Sequence, residues 1–259
     1  MLRLPLIAAT ALSAAVATLT SAQGNAPITE GAQTFAAVTD IEWSYAAEAR
    51  DVRGEPYLRF SRDGMNTTMG AGDLSDAAVA LARASSAAPG EPVAFDLARE
   101  AGVMACTGSV TAPGRAGGRC RFDPDAGFVA ALAALVLVPE DVEDLLGLAF
   151  VGARLASVEE LSSAGFAVAD VDELTAVAAL EVTGAYAAEL RGAGLEPEDL
   201  DELVSAKAVG VEPGWIAEMA EAGYPGLDLD KAIELRALGV TPDYARRMAR
   251  VMRAMEGVE

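Results

Sequence analysis

The chain has 259 residues, of which 52% are hydrophobic, and its 39 acidic and 19 basic side chains give a formal net charge of −20. Such acidity argues against binding to nucleic acid or, through basic contacts, to anionic lipid, while the apolar content is enough to fill a core. The chain also contains no histidine. This absence excludes Ser-His-Asp and Cys-His nucleophile systems, the HExxH zinc site and acid–base catalysis by imidazole.

Residues 1–22 have the pattern of a secretory signal peptide. Arg3 precedes a long apolar stretch, and small residues lead to a cut after Ala22. An uncleaved membrane anchor is the alternative interpretation. No cysteine follows the cut to carry a lipid, and the longest later apolar run, at 127–138, is shorter than the ~20 residues that a bilayer span needs. We therefore expect a periplasmic or secreted protein with no stable membrane span after cleavage.

Residues 23–123 have the pattern of a β-rich domain. Short, partly alternating segments are bounded by Gly or Pro: IEWSYAAEA, EPYLRFSR, EPVAFDLAR, GVMACTGS and RCRF. Between them, DLSDAAVALARASS is consistent with either a helix or a loop. We expect a small antiparallel sheet that joins directly to the helical region.

The two cysteines, Cys106 and Cys120, are predicted to form a disulfide, because an even count in an exported chain favours pairing. They lie in two strand-like segments on either side of Pro113. A hairpin centred on that proline places Cys106 opposite Cys120 and Met104 opposite Phe122 on the same face. Two cysteines without histidine make a poor zinc site.

Residues 124–259 contain a 29-residue repeat, most visible in VGVEPGWIAEM at 209–219 and LGVTPDYARRM at 238–248. Apolar residues recur at two phases of the interval, and glycines recur at a third. The predicted repeat core comprises Phe128, Tyr186, Trp215, Tyr244, Leu132, Leu161, Leu190, Met219 and Met248. The predicted repeat turns comprise Gly165, Gly194 and Gly223.

Each repeat is interpreted as two short helices. The first begins near a Pro, whose missing N–H costs nothing at the first helical position, and it ends at the phased Gly. The second begins at a phased Asp, a preferred N-cap. These Asp residues are Asp141, Asp170, Asp199 and Asp228. One such helix pair cannot bury its apolar stripe alone, so neighbouring pairs must stack.

The pattern has three departures. Ser157 replaces the aromatic residue in one copy, and Val136 stands where the other copies have Gly, which leaves that turn's conformation open. The last unit is half a repeat, with Tyr244 and Met248 on one side of a helix and four arginines on its other parts. We expect this helix to cap the array by packing its Met side on the preceding unit. A Met-rich groove for a partner is the alternative.

The predicted fold class is therefore α+β: a small disulfide-stapled antiparallel β domain, followed by an all-α array of 29-residue helix–turn–helix repeats. The sequence contains no phosphate-binding loop, no EF-hand loop and no recognisable catalytic motif. It therefore predicts no catalytic residue, cofactor site or metal site. A carboxylate-dependent envelope glycan hydrolase and a cation-responsive structural protein stay open as alternatives.

The phrases GVTPDYARRM and AGYPGLDLDKAIELRALGVTP resemble the GVTPxY-type helical repeats appended to bacterial membrane metallopeptidases of the beta-lactam-sensor type. The block VAFDLAREAGVMACTGSV, with GGRCRFDPDAGFVAAL after it, resembles the segment that precedes those repeats. The resemblance covers about 90–253. It implies an envelope location, a protein partner there and a sensing or interaction role. It carries over no catalytic residue, because the peptidase motif needs two histidines.

Overall fold

The structure is a computed structural model that describes residues 33–49, 54, 56–70 and 75–256. The predicted signal peptide at 1–22 lies outside the described residues. Within them, the chain is an α+β protein with a six-stranded sheet and ten helices.

The sheet is antiparallel throughout, with the strand order β3-β2-β1-β6-β5-β4. Its strands are β1 (Val38–Ala46), β2 (Tyr57–Arg62), β3 (Met65–Gly70), β4 (Pro92–Arg99), β5 (Gly102–Ala112) and β6 (Arg115–Pro124). Helix α1 (Ser75–Ala84) connects the two edge strands β3 and β4, and it packs on β4 and β6. The predicted antiparallel sheet is confirmed. Strand β3 was not predicted, and the ambiguous segment before β4 forms a helix.

The sheet buries one face, which follows from the alternation of apolar and polar residues along its strands. At its centre Trp43 on β1 lies opposite Gly118, which in turn lies opposite Gly108. Because these two glycines carry no side chain, the indole can extend over them towards β4. Its ring meets the edge of Phe95 with a centroid separation of 5.0 Å, and its Nε1 donates to the Thr107 carbonyl at 3.1 Å.

The disulfide between Cys106 and Cys120 is present, and both cysteines are buried. The register of the β5–β6 hairpin pairs Cys106 with Cys120 and Met104 with Phe122, as predicted. The bridge therefore joins two adjacent central strands on the buried face of the sheet.

In the part of the chain that the structure describes, nine further helices follow the sheet, at regular positions. Helices α2 (Ala126–Ala134), α4 (Leu155–Ser163), α6 (Gly184–Gly192), α8 (Pro213–Glu221) and α10 (Pro242–Glu256) each begin 29 residues after the one before. The same interval separates the starts of α3 (Val142–Val151), α5 (Val171–Ala179), α7 (Leu200–Val209) and α9 (Leu229–Ala237).

The helices begin and end through local hydrogen bonds. The side chains of Asp141, Asp170, Asp199 and Asp228 accept from backbone N–H groups in the first turns of α3, α5, α7 and α9. Most helices end with a bond from the N–H of one residue to the carbonyl five residues earlier, for example Leu195 to Leu190 and Val211 to Ala206 at 2.9–3.0 Å. This is the Schellman motif, which needs a residue of positive φ just before that donor.

The positive-φ positions recur in two series. One series is Val136, Gly165, Gly194 and Gly223, and the other is Gly152, Glu181, Gly210 and Gly239. Val136 adopts φ 64° although it is β-branched, so its turn is left-handed, as are the turns that carry Gly. The conformation of this turn, which the sequence left open, is therefore left-handed with Val as it is with Gly.

Among the described residues, two hydrophobic clusters form the interior. The first contains the buried face of the sheet together with residues of α2 to α5, and the second extends from Leu161 in α4 to Ala245 in α10. Residue 124 ends the last strand, yet the sheet and the first helices share one core. The assignment of 23–123 and 124–259 to separate domains stays a prediction.

Candidate functional site

Seven residues of the predicted repeat core are buried in the structure. They are Phe128, Tyr186, Trp215, Leu132, Leu161, Leu190 and Met219. The three predicted turn residues Gly165, Gly194 and Gly223 have φ values of 95°, 83° and 103°. The seven buried residues support the helices from within, whereas the three glycines lie in exposed turns, so a binding surface has to be sought on the exposed positions.

Tyr244 and Met248 are exposed by 48% and 36%, which corrects the expectation that they lie in the core. Helix α10 instead packs on α8 through small residues, since Ala245 is buried and Ala249 lies beside Gly223. Val251, on the same side of the helix, is exposed as well, and the role of α10 as a cap of the array stays a prediction. Tyr186 and Trp215 are covered by the helices that follow them, and within the described residues no helix follows α10.

A basic side chain lies over the ring of Tyr186 and another over the ring of Trp215, and the sequence pattern did not predict either contact. The Nζ of Lys207 lies 4.6 Å from the centre of the Tyr186 ring, and the guanidinium of Arg236 lies 5.3 Å from the Trp215 ring. Lys207 and Arg236 are themselves 29 residues apart. A search for basic residues at one phase of the interval would have found this pair.

Tyr186 also donates a hydrogen bond from its hydroxyl to the Val211 carbonyl at 2.7 Å. Burial, with smaller contributions from the negative charges of Glu212 and Glu189, raises the pKa of Tyr186 to about 12. The tyrosine is therefore held neutral and acts as a structural donor between α6 and the loop before α8.

A groove of about 480 Å³ lies between α6 and α8. Small residues line much of it, including Gly192 and Gly194 on one side and Ala217 and Ala220 on the other. Pro213, Ile216 and Leu227 supply larger apolar surface, and Glu189 is the charged residue of the lining. Because so few side chains fill the space, the two helices leave an apolar channel open to solvent. We call this lining the α6–α8 groove.

Successive helix pairs differ in the backbone donor that they offer to the carboxylate at this position. Glu160, which lies 29 residues earlier, accepts a hydrogen bond from the backbone N–H of Gly184, the first residue of α6, at 3.1 Å. The residue that corresponds to Gly184 at the start of α8 is Pro213, which has no N–H to donate. Within the described part of the chain, the Glu189 carboxylate makes no hydrogen bond or ion pair.

A second concavity, of about 460 Å³, lies at the turn between β2 and β3 and contains acidic side chains paired with arginines. Arg119 lies 3.7 Å from Asp40, and Arg62 lies 3.6 Å from Asp63. Arg62 also donates to Glu143 of α3, and this hydrogen bond lowers the pKa of the Glu143 carboxyl. The arrangement is that of a surface ion-pair network.

Over residues 33–49, 56–70 and 75–256, no group of three or more acidic or cysteine side chains is arranged to hold a metal ion. None of the helices described there combines the length and the apolar character needed to cross a bilayer.

The chain matches no known family, no curated protein and no solved structure. The α6–α8 groove and the regular helix positions are therefore the observations that bear on function.

Proposed function

We propose that this protein is an exported, non-enzymatic interaction or sensing module of the bacterial cell envelope, and that α2 to α10 form an array of 29-residue helix–turn–helix repeats. The proposal of an array is supported by the spacing of the helix starts and by the two series of positive-φ residues. Arrays of stacked helix pairs commonly present extended surfaces on which other proteins bind.

The observation that carries the proposed function is the α6–α8 groove. An open apolar channel with one unpaired carboxylate fits a segment of a protein that brings apolar side chains and a Lys or Arg. The lysine or arginine would pair with Glu189, and the apolar side chains would lie against Ile216 and Leu227. The formal net charge of −20 favours such a basic segment during approach, because opposite charges raise the rate of encounter.

The location and the wider context rest on the sequence. The pattern of residues 1–22 supports export, and the resemblance to repeats of membrane metallopeptidases supports a link to a peptidase signalling system. Cell fractionation and N-terminal sequencing test the first point. We expect the protein in the periplasm or the medium, with Gln23 as its first residue.

Site-specific photo-crosslinking in living cells tests the interaction. A photoreactive amino acid replaces Ala220 in the groove, and a matched chain carries it at Ala130, an exposed alanine of α2. We expect a discrete adduct with one envelope protein from position 220 and none from position 130. Adducts of equal yield from both positions, or none from position 220, would contradict the proposal.

A charge reversal tests the role of Glu189. Glu189→Lys should weaken binding of the crosslinked partner by about tenfold or more, because it places like charges together. Glu159→Lys makes the same charge change at an exposed residue of α4 outside the groove and should leave binding within about twofold. An equal effect of the two substitutions would show that net charge, rather than the groove, controls recognition.

A further inference from the structure

Two patches of exposed large apolar side chains lie in distant parts of the chain. The C-terminal patch consists of Tyr244, Met248 and Val251 on α10, and the loop patch consists of Leu135, Val136 and Val138 between α2 and α3. In the described part of the chain, these two patches hold six of the eleven exposed large apolar residues. Exposed apolar clusters of this kind mark contact surfaces more often than single exposed residues do.

The C-terminal patch has the form of a helix seam. Its residues follow one another at intervals of four and three along α10, which places them on one face. The corresponding residues Tyr186 and Leu190 in α6, and Trp215 and Met219 in α8, are buried. This face is therefore buried in α6 and α8, each of which is followed by another helix pair, and it is exposed in α10.

The two patches carry opposite charge around them. Arg247 and Arg250 are exposed beside the C-terminal patch, and Arg246 lies on the same helix in an ion pair with Asp243 at 2.6 Å. The loop patch is followed at once by the exposed carboxylates of Glu140 and Asp141. In a chain with twice as many acidic as basic residues, a basic apolar surface and an acidic apolar surface are complementary partners.

We propose that the C-terminal patch of one copy binds the loop patch of a second copy of this chain. Tyr244, Met248 and Val251 pack on Leu135, Val136 and Val138, and the exposed Arg247 and Arg250 pair with Glu140 and Asp141. The contact is heterologous, since each copy contributes a different surface. It therefore leaves one patch free at each end of a pair, and association continues to longer assemblies.

Sedimentation velocity of the full mature chain tests this association over a range of protein and salt concentrations. We expect the weight-average mass to increase with protein concentration at low salt. Raising the ionic strength from about 0.05 M to about 0.5 M should weaken association by about tenfold, because the charges around the patches are exposed and screened. The double change Arg247→Glu and Arg250→Glu should weaken it by about as much at low salt.

A mixing experiment identifies the surfaces. Met248→Glu blocks the C-terminal patch and Val138→Glu blocks the loop patch, and neither variant alone should associate. Mixed together, the two variants should form a one-to-one dimer and nothing larger, because only one intact contact exists between them. Val79→Glu changes an exposed residue of α1 outside both patches and should associate as the unchanged chain does. Circular dichroism and melting temperature check that each variant is folded.

Three results would overturn the proposal. The unchanged chain could stay monomeric at every concentration at low salt. The Val138→Glu variant could associate normally while Met248→Glu does not, which would indicate an α10–α10 contact. A monomer could instead bind vesicles of anionic lipid through α10, which would assign the C-terminal patch to a membrane surface. The α6–α8 groove belongs to neither patch, so self-association and recognition through the groove can fail independently.

Discussion

The hydroxyl of Tyr186 donates a 2.7 Å hydrogen bond to the carbonyl of Val211, which joins the first turn of α6 to the residue that precedes α8 by two positions. Both residues are buried, so the carbonyl has no ready access to water if the hydroxyl is removed. This bond therefore contributes to the fixed separation of the two helices that form the α6–α8 groove.

Tyr186→Phe should lower the free energy of unfolding by about 1 kcal/mol, the usual effect of losing one buried hydrogen bond. Chemical denaturation with urea at pH 7 measures it. Tyr45→Phe removes a hydroxyl whose contact, with Ser85 at 3.3 Å, is longer and only partly buried, and should cost less. An equal loss of unfolding free energy in the two variants would show that the Tyr186 hydrogen bond stabilises the fold no more than the longer Tyr45 contact does.

The raised pKa of Tyr186 predicts a pH dependence. The folded-state pKa is about 12, above the ordinary tyrosine value of 10.0. The unfolded state therefore releases its proton first, and stability is lost as pH rises from 10 to about 12, while below pH 10 the contribution is complete. The difference in unfolding free energy between the unchanged chain and Tyr186→Phe should shrink over this window. A constant difference up to pH 12 would contradict the raised pKa.

Val136→Gly should stabilise the protein by about 1 kcal/mol, because it removes a β-branched residue from a left-handed conformation. Gly165→Ala makes the opposite change at the corresponding turn, where an added Cβ meets no atom within 4 Å, and should cost about 1 kcal/mol through the backbone alone. Thermal melting measures both. Val138→Gly, at an exposed position outside the positive-φ series, is the control and should not stabilise.

Gly118→Ala should destabilise the sheet by about 3 kcal/mol, since the added Cβ would collide with the Thr107 carbonyl oxygen on the neighbouring strand. Gly147→Ala is the matched control. It lies within α3, where a Cβ meets nothing within 4 Å, so helix propensity should make it stabilising by up to about 1 kcal/mol. The urea midpoint of each variant gives the comparison. A tolerated alanine at 118 would contradict the close approach of β5 and β6.

Asp199→Ala should cost about 1 kcal/mol, because its carboxylate accepts from the Glu202 N–H at 2.9 Å and caps α7. Asp201→Ala removes an acidic residue from the same first turn without removing a cap, and should cost a few tenths of that amount. Urea denaturation of both variants at pH 7 separates capping from general charge. Equal costs would show that only the charge near the helix N-terminus matters.

Much of the local structure could be predicted because its causes lie within a few residues. The Asp residues that begin α3, α5, α7 and α9, and the prolines that begin α8 and α10, act through their own backbone and its nearest neighbours. The disulfide and the register of β5 with β6 followed from one short turn around Pro113. A closing hairpin leaves few alternative alignments, so the sequence pattern was enough.

Strand β3 was missed because its sequence, MNTTMG, has no apolar alternation of its own. It is an edge strand that forms by pairing with β2, with Tyr57 opposite Gly70 and Arg62 opposite Met65. Strand β3 therefore forms because β2 pairs with it, and its own sequence pattern does not predict a strand. The unpaired carboxylate of Glu189 could have been foreseen, since it follows from comparing Pro213 with Gly184 one interval earlier.

The sequence by itself determined where the helices with a phased Asp or Pro begin, which cysteines pair and which residues recur at 29-residue intervals, because these depend on neighbours in the chain. Tertiary structure alone decided which recurring apolar residues are buried. Trp215 and Tyr244 occupy the same phase, yet Trp215 is covered and Tyr244 is exposed, since burial depends on what packs above a residue. It also decided that the sheet shares a core with the first helices, and that α6 and α8 leave a groove between them.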